Sequence, residues 1–328
     1  MKILVTGGLG FIGSNFILKL LSKFPQYEIT NVDACLSGSN LKNLESLSNN
    51  KHYSFVKGNI SDPILMEKLI EKNDLVINFA AESHVDRSIS NPKPFLDTNI
   101  FGVYTILECL RKSRKKLIQI STDEVYGSLK YQSADENFHL NPSSPYSSSK
   151  ASAELIANSY HITYDIDVMI TRCTNNYGPR QFPEKLIPKT IILAEQNKKI
   201  PVYGKGTNIR DWIYVDDHCE AILEVLTHGK SGNSYNISAE NEIDNITIVK
   251  KILSILNKKE DLIEFVEDRP GHDFRYSLDS SKIRKELNWS QKTNFDEGLE
   301  KTVEWYKSNK NWWEGLANSY LETTPWKN

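Results

Sequence analysis

The sequence predicts an α/β fold: a doubly wound parallel sheet joined to a smaller, discontinuous α/β domain that would take a substrate. Three observations predict it. Short β-rich runs alternate with helix-period segments through the first half of the chain, a glycine-rich turn joins the first run to the first helix, and the alternation loosens after Arg172. Strands that alternate with helices call for parallel pairing, with helices covering both faces of the sheet.

The strands are expected at Lys2–Thr6, Glu28–Val32, Tyr53–Lys57, Leu75–Phe79, Leu117–Ser121 and Val168–Thr171. Between them Phe11–Phe24, Pro63–Glu71, Pro94–Lys112 and Tyr146–Tyr164 read as helices. Pro94–Lys112 carries Phe95, Ile100, Phe101, Tyr104, Leu107 and Leu110, an apolar stripe wider than one core contact requires. Two uses fit it, a core-facing stripe or a helix shared across a homodimer. After Arg172 come Pro179, Pro183, Pro188 and Pro201 in turn-rich sequence, then a late strand at Ser234–Ile237 returning to the main sheet and a helix at Ile246–Leu256. Trp305, Trp312, Trp313 and Trp326 mark the tail. The expected division is a nucleotide-binding domain of residues 1–172 plus about 211–238, and a substrate domain of about 173–210 and 239–328, with the site between them.

Composition excludes several classes. At 328 residues the chain can build one large core or two modest ones, and 39% hydrophobic with 25% charged residues is a globular mix rather than a disordered one. A formal net charge of −2 argues against a nucleic-acid binder, though it leaves room for a local arginine pocket. Cys35, Cys109, Cys173 and Cys219 are too widely spaced for a zinc site or a disulfide framework, so no metal is expected. Met1–Val5 briefly imitates a signal peptide but runs straight into glycines, and no apolar stretch reaches the ~20 residues of a membrane span. A cytoplasmic protein without membrane or nucleic-acid partners is expected.

Gly7-Gly8-Leu9-Gly10-Phe11-Ile12-Gly13 follows the first strand and opens the first helix. Glycines there permit a tight turn and close backbone approach to a pyrophosphate, and the helix N-terminus offers free N–H groups to the phosphates. Asp33, 20 residues after Gly13, would accept hydrogen bonds from ribose hydroxyls and repel a 2′-phosphate. With no arginine beside it, NAD is expected rather than NADP. Asn59-Ile60-Ser61-Asp62 would border the adenine, although Asp62 serves equally well as a helix cap.

Tyr146-Ser-Ser-Ser-Lys150 puts a phenol and an ammonium one helical turn apart on one face. A neighbouring ammonium favours the phenolate of a group whose ordinary pKa is about 10. Ser121-Thr122-Asp123-Glu124 ends an apolar run, at the strand end where parallel sheets place ligands. A carboxylate and a carboxylic acid together supply what an elimination needs, one to take a proton and one to give one. Successive strand residues face opposite ways, so both can reach one substrate only if the chain turns there. The other reading of the pair is a solvated acidic loop.

These segments resemble a family. The chain is similar to the extended short-chain dehydrogenase/reductases, with their Rossmann-type sheet, and most of all to the dTDP-glucose 4,6-dehydratases. The resemblance rests on the glycine loop, on Ala80-Ala81-Glu82-Ser83-His84-Val85-Asp86-Arg87-Ser88, and on Ser121 to Gly127. Arg172 to Pro179, Gln181 to Pro188, Arg210-Asp211-Trp212 and Asp268 to Asp273 carry it further. It implies NAD contacts at Gly7, Gly10, Phe11, Ile12, Gly13, Asp33, Ala34, Leu36, Asn59, Ile60, Ala80, Ala81, Glu82, Ser83, Thr98, Tyr146, Lys150 and Asn176. For a nucleotide-diphosphate hexose, expected to be dTDP-glucose, it implies contacts at Ser83, Thr122, Asn175, Lys185, Leu186, Pro201, Tyr203, Arg210, Asn245, Arg269 and His272. Arginine suits a diphosphate because it binds phosphate oxygens in pairs, though Arg210 and Arg269 also suit structural ion pairs.

The resemblance further implies a redox-neutral reaction: C4 oxidation, loss of water across C5 and C6, and C6 reduction. Tyr146 with Thr122 would take the 4-hydroxyl proton, Glu124 the C5 proton, and Asp123 would protonate the departing 6-hydroxyl, with Lys150 holding the nicotinamide ribose. Two departures stand out: Asn78 where relatives often carry histidine, and a short segment from Gly127 to Tyr146. A 4-epimerase or decarboxylase of the same superfamily would share the NAD loop and Tyr146-x-x-x-Lys150, and an epimerase would lack the Asp–Glu pair. A non-catalytic nucleotide-binding relative would have lost Tyr146, Lys150 or Glu124, and none is missing.

Overall fold

A computed structural model describes every residue except 316–317, 322–324 and 328. Among the described residues twelve strands form, β1 (Lys2–Thr6), β2 (Glu28–Asp33), β3 (Tyr53–Lys57), β4 (Leu75–Asn78), β5 (Lys116–Thr122), β6 (Val168–Cys173), β7 (Asn175–Tyr177), β8 (Ile200–Tyr203), β9 (Ile209–Tyr214), β10 (Ser234–Ile237), β11 (Glu242–Asp244) and β12 (Ile263–Val266). Seven make one sheet in the order β10-β6-β5-β4-β1-β2-β3, parallel throughout. The order reverses at β1, which pairs with both β2 and β4. A crevice opens outside the strand ends at such a point, and that is where an open parallel sheet takes a ligand.

Helices cover both faces. In β1, Ile3 and Val5 face a layer that holds α1 (Phe11–Lys23), while Leu4 faces the layer of α2 (Pro63–Glu71). That is the two-residue period of a strand buried on both sides. Two short helices, α3 (Val85–Ser90) and α4 (Lys93–Leu96), lead into α5 (Val103–Ser113), and α6 (Pro145–Tyr164) packs beside α5.

The helix expected over Pro94–Lys112 is interrupted. Between α4 and α5 the chain makes a π-helical turn, Asp97–Gly102. One extra residue per turn re-aims side chains, and π turns gather at functional sites for that reason. Here Asn99 is turned inward: its Oδ1 accepts from Glu82 N (2.9 Å), and its Nδ2 donates to Glu82 O (3.0 Å) and Ser149 Oγ (2.8 Å). The apolar stripe also splits. Phe95, Leu107 and Leu110 are buried in the core, whereas Phe101 (59%) and Tyr104 (46%) are exposed.

The remaining chain builds a three-stranded sheet, β11-β9-β7, and a two-stranded one, β12-β8. Here α7 (Leu186–Glu195), α9 (Asn245–Ile255) and α11 (Phe295–Ser308) close a second core, with Tyr177, Trp212, Trp312 and Trp313 at its centre. In between, α8 (Val215–His228) packs on α1, and α10 (Ser281–Leu287) packs on α8 and β10, so both lie with the large sheet. The late strand expected at Ser234–Ile237 is β10, at the edge of that sheet. No described helix is long and apolar enough to cross a membrane.

Candidate active site

The crevice at the strand ends is one cavity, and the glycine turn forms its floor. Gly7 has φ +68°, and a Cβ there would lie 2.5 Å from Ala80 N. A Cβ on Gly13 would lie 2.6 Å from Gly7 O. Only glycine fits either place. Gly10 begins α1 with no side chain capping it, which leaves the first N–H groups of the helix open toward the cavity. Asp33, at the end of β2, is buried and held in place: Leu9 N donates to Oδ2 (3.0 Å), and Cys35 N and Ser39 Oγ donate to Oδ1 (both 2.8 Å). A phosphate cradle and a fixed ribose acceptor on one wall fit a dinucleotide. Every residue expected to contact NAD lines this cavity, including Asn59, Ile60, Thr98 and Asn176.

The departure at Asn78 has a local use. Its Oδ1 accepts from Thr6 Oγ1 and its Nδ2 donates to Gln119 Oε1 (2.8 Å), which ties β1, β4 and β5 together beneath the floor. The tie is buried and fully paired, so it stiffens the strand ends that carry the site.

The turn that the carboxylate pair requires is present. After β5 the chain winds into one 3₁₀ turn, Asp123–Tyr126, which ends at Gly127 with φ +71°. Thr122 caps it, accepting from Glu124 N (3.3 Å), and its own hydroxyl donates to Asp123 Oδ1 (3.0 Å). Asp123 and Glu124 thereby line the same cavity as Tyr146 and Lys150. Asp123 is 3% exposed, and its Oδ2 has no hydrogen-bond partner among the described residues.

Their environments push the two carboxyls apart. Burial, and then the Glu124 charge, raise the Asp123 pKa well above the usual carboxylate range. Burial raises Glu124 too, but Arg269, Arg210 and Lys185 pull it back. Asp123 is therefore the member of the pair that holds its proton more strongly.

Tyr146 and Lys150 enter at the start of α6, where Ser144 and Ser147 form a reciprocal cap and Pro145 begins the helix. Burial, then Glu124, raises the phenol well above its ordinary value. Lys150 does not offset this. Its Nζ donates to Ile120 O (2.6 Å), and burial lowers its pKa to about 8.

Of the residues expected to contact the sugar nucleotide, Ser83, Thr122, Asn175 and Lys185 line the cavity, and Lys185 Nζ donates to Ser83 O (2.9 Å). The others stand outside its wall. Leu186, Pro201 and Asn245 belong to the starts of α7, β8 and α9. Arg269 Nη1 and Tyr203 OH both reach Asp86, at 2.8 Å and 3.0 Å, and Arg269 Nε is buried without a partner among the described residues. Arg210 lies over the Tyr276 ring at 4.2 Å. His272 Nδ1 is 2.6 Å from Asp268 Oδ1, and burial lowers the imidazole to about 4, so it is neutral near pH 7.

The comparisons with known proteins bear on this geometry. The family model of GDP-mannose 4,6 dehydratase matches residues 4–302. A dTDP-glucose 4,6-dehydratase of Streptomyces niveus is 44% identical over 97% of this chain and 96% of its own length. The crystal structure of the Bacillus anthracis dTDP-glucose 4,6-dehydratase in complex with NAD is 47% identical, with TM-score 0.91, and covers 97% of this chain and 100% of that one. DesIV, the Streptomyces venezuelae dTDP-glucose 4,6-dehydratase with NAD and TYD bound, is 42% identical, with TM-score 0.95 over the same shares. The chain belongs to the nucleotide-sugar 4,6-dehydratase family.

In this dehydratase several residues around the cavity escape sequence reasoning. Cys173, Gln181, Phe182 and Glu184 line it, and Tyr276 OH reaches both Asp273 (2.6 Å) and Glu124 (3.4 Å). Gln181 to Glu184 sit in a segment whose resemblance drew attention to it as a whole. Asn99 and Tyr276 give no such signal, because one depends on a π turn and the other on a loop far along the chain.

Proposed function

We propose that the chain dehydrates dTDP-glucose to dTDP-4-keto-6-deoxyglucose, with the proton transfers divided among Tyr146, Glu124 and Asp123. It is an NAD-dependent dehydratase, and its family and relatives support this substrate. The observation that carries the division is the buried carboxyl pair, whose partnerless oxygen belongs to the member that holds its proton more strongly. An epimerase has no use for such an acid.

NAD, when bound in the cradle, supplies a reversible two-electron acceptor and a ring charge that favours the Tyr146 phenolate. Tyr146, with the Thr122 hydroxyl beside it, takes the proton of the sugar 4-hydroxyl. The ketone at C4 acidifies C5, and Glu124 removes the C5 proton. Asp123 gives its proton to the departing 6-hydroxyl, and Glu124 then returns a proton to C5. Arg269 and Arg210 hold the diphosphate, the Nε of Arg269, which has no partner among the described residues, being the free edge for it.

We assign the dinucleotide to the part built on the seven-stranded sheet and the sugar nucleotide to the part holding β8, β9 and α9. We also propose a homodimer formed through the π-helical turn, α5 and α6, where Phe101, Tyr104, Leu155 and Ile162 present an exposed apolar face.

Incubation with dTDP-, UDP-, CDP- and GDP-glucose and GDP-mannose tests the reading. We expect 4-keto product from dTDP-glucose, without net NADH. Stoichiometric NADH release would replace the dehydratase with a dehydrogenase. Product from another nucleotide sugar alone would move the specificity.

A further inference from the structure

The reaction borrows two electrons and gives them back, so the dinucleotide must stay in place between the first step and the last. Next to its cavity stands a side chain that none of those steps uses. Arg87, in α3, donates from Nη1 to Ser37 Oγ and from Nη2 to Glu184 Oε1 (3.2 Å). Ser37 lies four residues after the ribose carboxylate Asp33, on the loop beyond β2, and Glu184 lies just ahead of α7. Both line the cavity. The guanidinium thus joins two stretches of its wall that are far apart in the sequence.

The joint matters because the Ser37 loop has little else to hold its outer part. Ser39 and Asn40 are fixed, to Asp33 and to Leu9 O. Leu36, however, is 51% exposed, and Gly38, at φ +92°, has open space around it. On the other side the Glu184 side chain is 7% exposed, and its charge is balanced by Lys185, Arg87 and Lys189, so losing Arg87 would loosen that segment as well. A planar guanidinium can hold two acceptors at once on a fixed fork, which an ammonium on a flexible stem does not reproduce.

We propose that Arg87 is the latch of a clasp, Ser37–Arg87–Glu184, that retains the dinucleotide between turnovers. It acts as a positioning residue for the cofactor. The proposal rests on the cofactor part of the proposed function. Leaving the cavity requires the latch to open, so the clasp shows in the release rate.

The test loads purified wild type, Arg87→Met, Arg87→Lys and Ser37→Ala with NADH and follows its fluorescence on mixing with excess NAD. Without the latch we expect release roughly ten to a hundred times faster in Arg87→Met and Arg87→Lys, the loss of one or two charge-assisted bonds. Ser37→Ala should show a smaller acceleration, roughly three- to tenfold. The double variant Ser37→Ala/Arg87→Met should be no faster than Arg87→Met alone. Unchanged release in Arg87→Met overturns the clasp, and so does wild-type release in Arg87→Lys. A lower melting temperature in Arg87→Met with no effect of Ser37→Ala would make Arg87 a structural support and overturn it too. The measurement needs no sugar. A protein that shows the clasp but makes no 4-keto product loses the proposed function alone, and an active protein with unchanged release loses the clasp alone.

Discussion

The two sides of the cleft are built in different ways. The floor of the proposed cofactor side is made mainly of backbone: a glycine turn, an open helix end and a carboxylate pinned by two backbone N–H groups and a hydroxyl, all within the first 39 residues. The proposed sugar side is made of side chains drawn from the loop ahead of α3, the turn after β5, α6, the segment before α7, β9 and the loop after β12. Backbone amides bind any diphosphate at that spacing, so the first wall holds a cofactor that many enzymes share. Side chains from scattered loops select a reaction and a substrate, and each acts through the charges of the others. The first wall should therefore fail locally when changed, and the second should fail through its neighbours.

The largest effect should come from the sugar side. Asp123→Asn keeps the shape but removes the proposed acid at the 6-hydroxyl, and Glu124→Gln removes the proposed base at C5. Groups of this kind contribute about 10²–10⁴-fold, so turnover should fall by about that much in each. Tyr146 and Lys150 remain, so the first oxidation should persist and enzyme-bound NADH should build up in a stopped-flow trace. Tyr146→Phe should leave the cofactor oxidised. Wild-type turnover in both carboxylate variants would mean that the pair is a solvated loop, and the comparison between the two walls would lose its basis.

That contrast also explains what was legible in the sequence. The glycine loop, Asp33 and Tyr146-x-x-x-Lys150 could be read because each is a local pattern on a strand–turn–helix unit, and all of them reach one cavity. The six strands of the first half and β10 were readable for the same reason: their apolar runs are bounded by turns. The break in the Pro94–Lys112 helix was not readable, because a π turn leaves the apolar spacing almost unchanged and is set by where Asn99 must bond. The turn at Asp123 was readable only as a requirement. Tyr276 beside Glu124 lies 152 residues away from it, and no spacing rule reports such a contact. The surroundings of Tyr146 were not readable either: burial and then the Glu124 charge raise the phenol, while Lys150 Nζ bonds to Ile120 O.

A smaller effect is expected on the cofactor side. Asp33→Ala removes the proposed acceptor for the ribose hydroxyls and leaves Leu9 N, Cys35 N and Ser39 Oγ without theirs. Each charge-assisted bond contributes about 1.5–3 kcal/mol, so NAD affinity should fall by about one to two powers of ten. Calorimetry on cofactor-stripped protein measures it. If the backbone wall does fail locally, saturating NAD should bring the variant back to its normal Michaelis constant for dTDP-glucose. A changed constant would show that the two walls are coupled.

The smallest effect tests the claim that the sugar side acts through its neighbours. In the proposed division Glu124 must be ionised to take the C5 proton, and Asp123 must be protonated to serve the leaving hydroxyl. Rate against pH should therefore be bell-shaped, falling on the acid side as Glu124 gains a proton and on the alkaline side as Asp123 loses one. Burial raises both carboxyls, so the acid limb should lie above the ordinary glutamate value of about 4.3. Arg269 is the largest charge that pulls Glu124 back. Replacing it with methionine removes a positive charge that favours the carboxylate, so the Glu124 pKa should rise and the acid limb move to higher pH. Asp123 feels Arg210 rather than Arg269, so the alkaline limb should move less. Because Arg269 is also the proposed diphosphate clamp, the profile must be taken at saturating dTDP-glucose, where weaker binding no longer enters the rate. An acid limb that stays in place in Arg269→Met would separate the diphosphate clamp from the proton chemistry, and this wall would then be as modular as the glycine turn opposite.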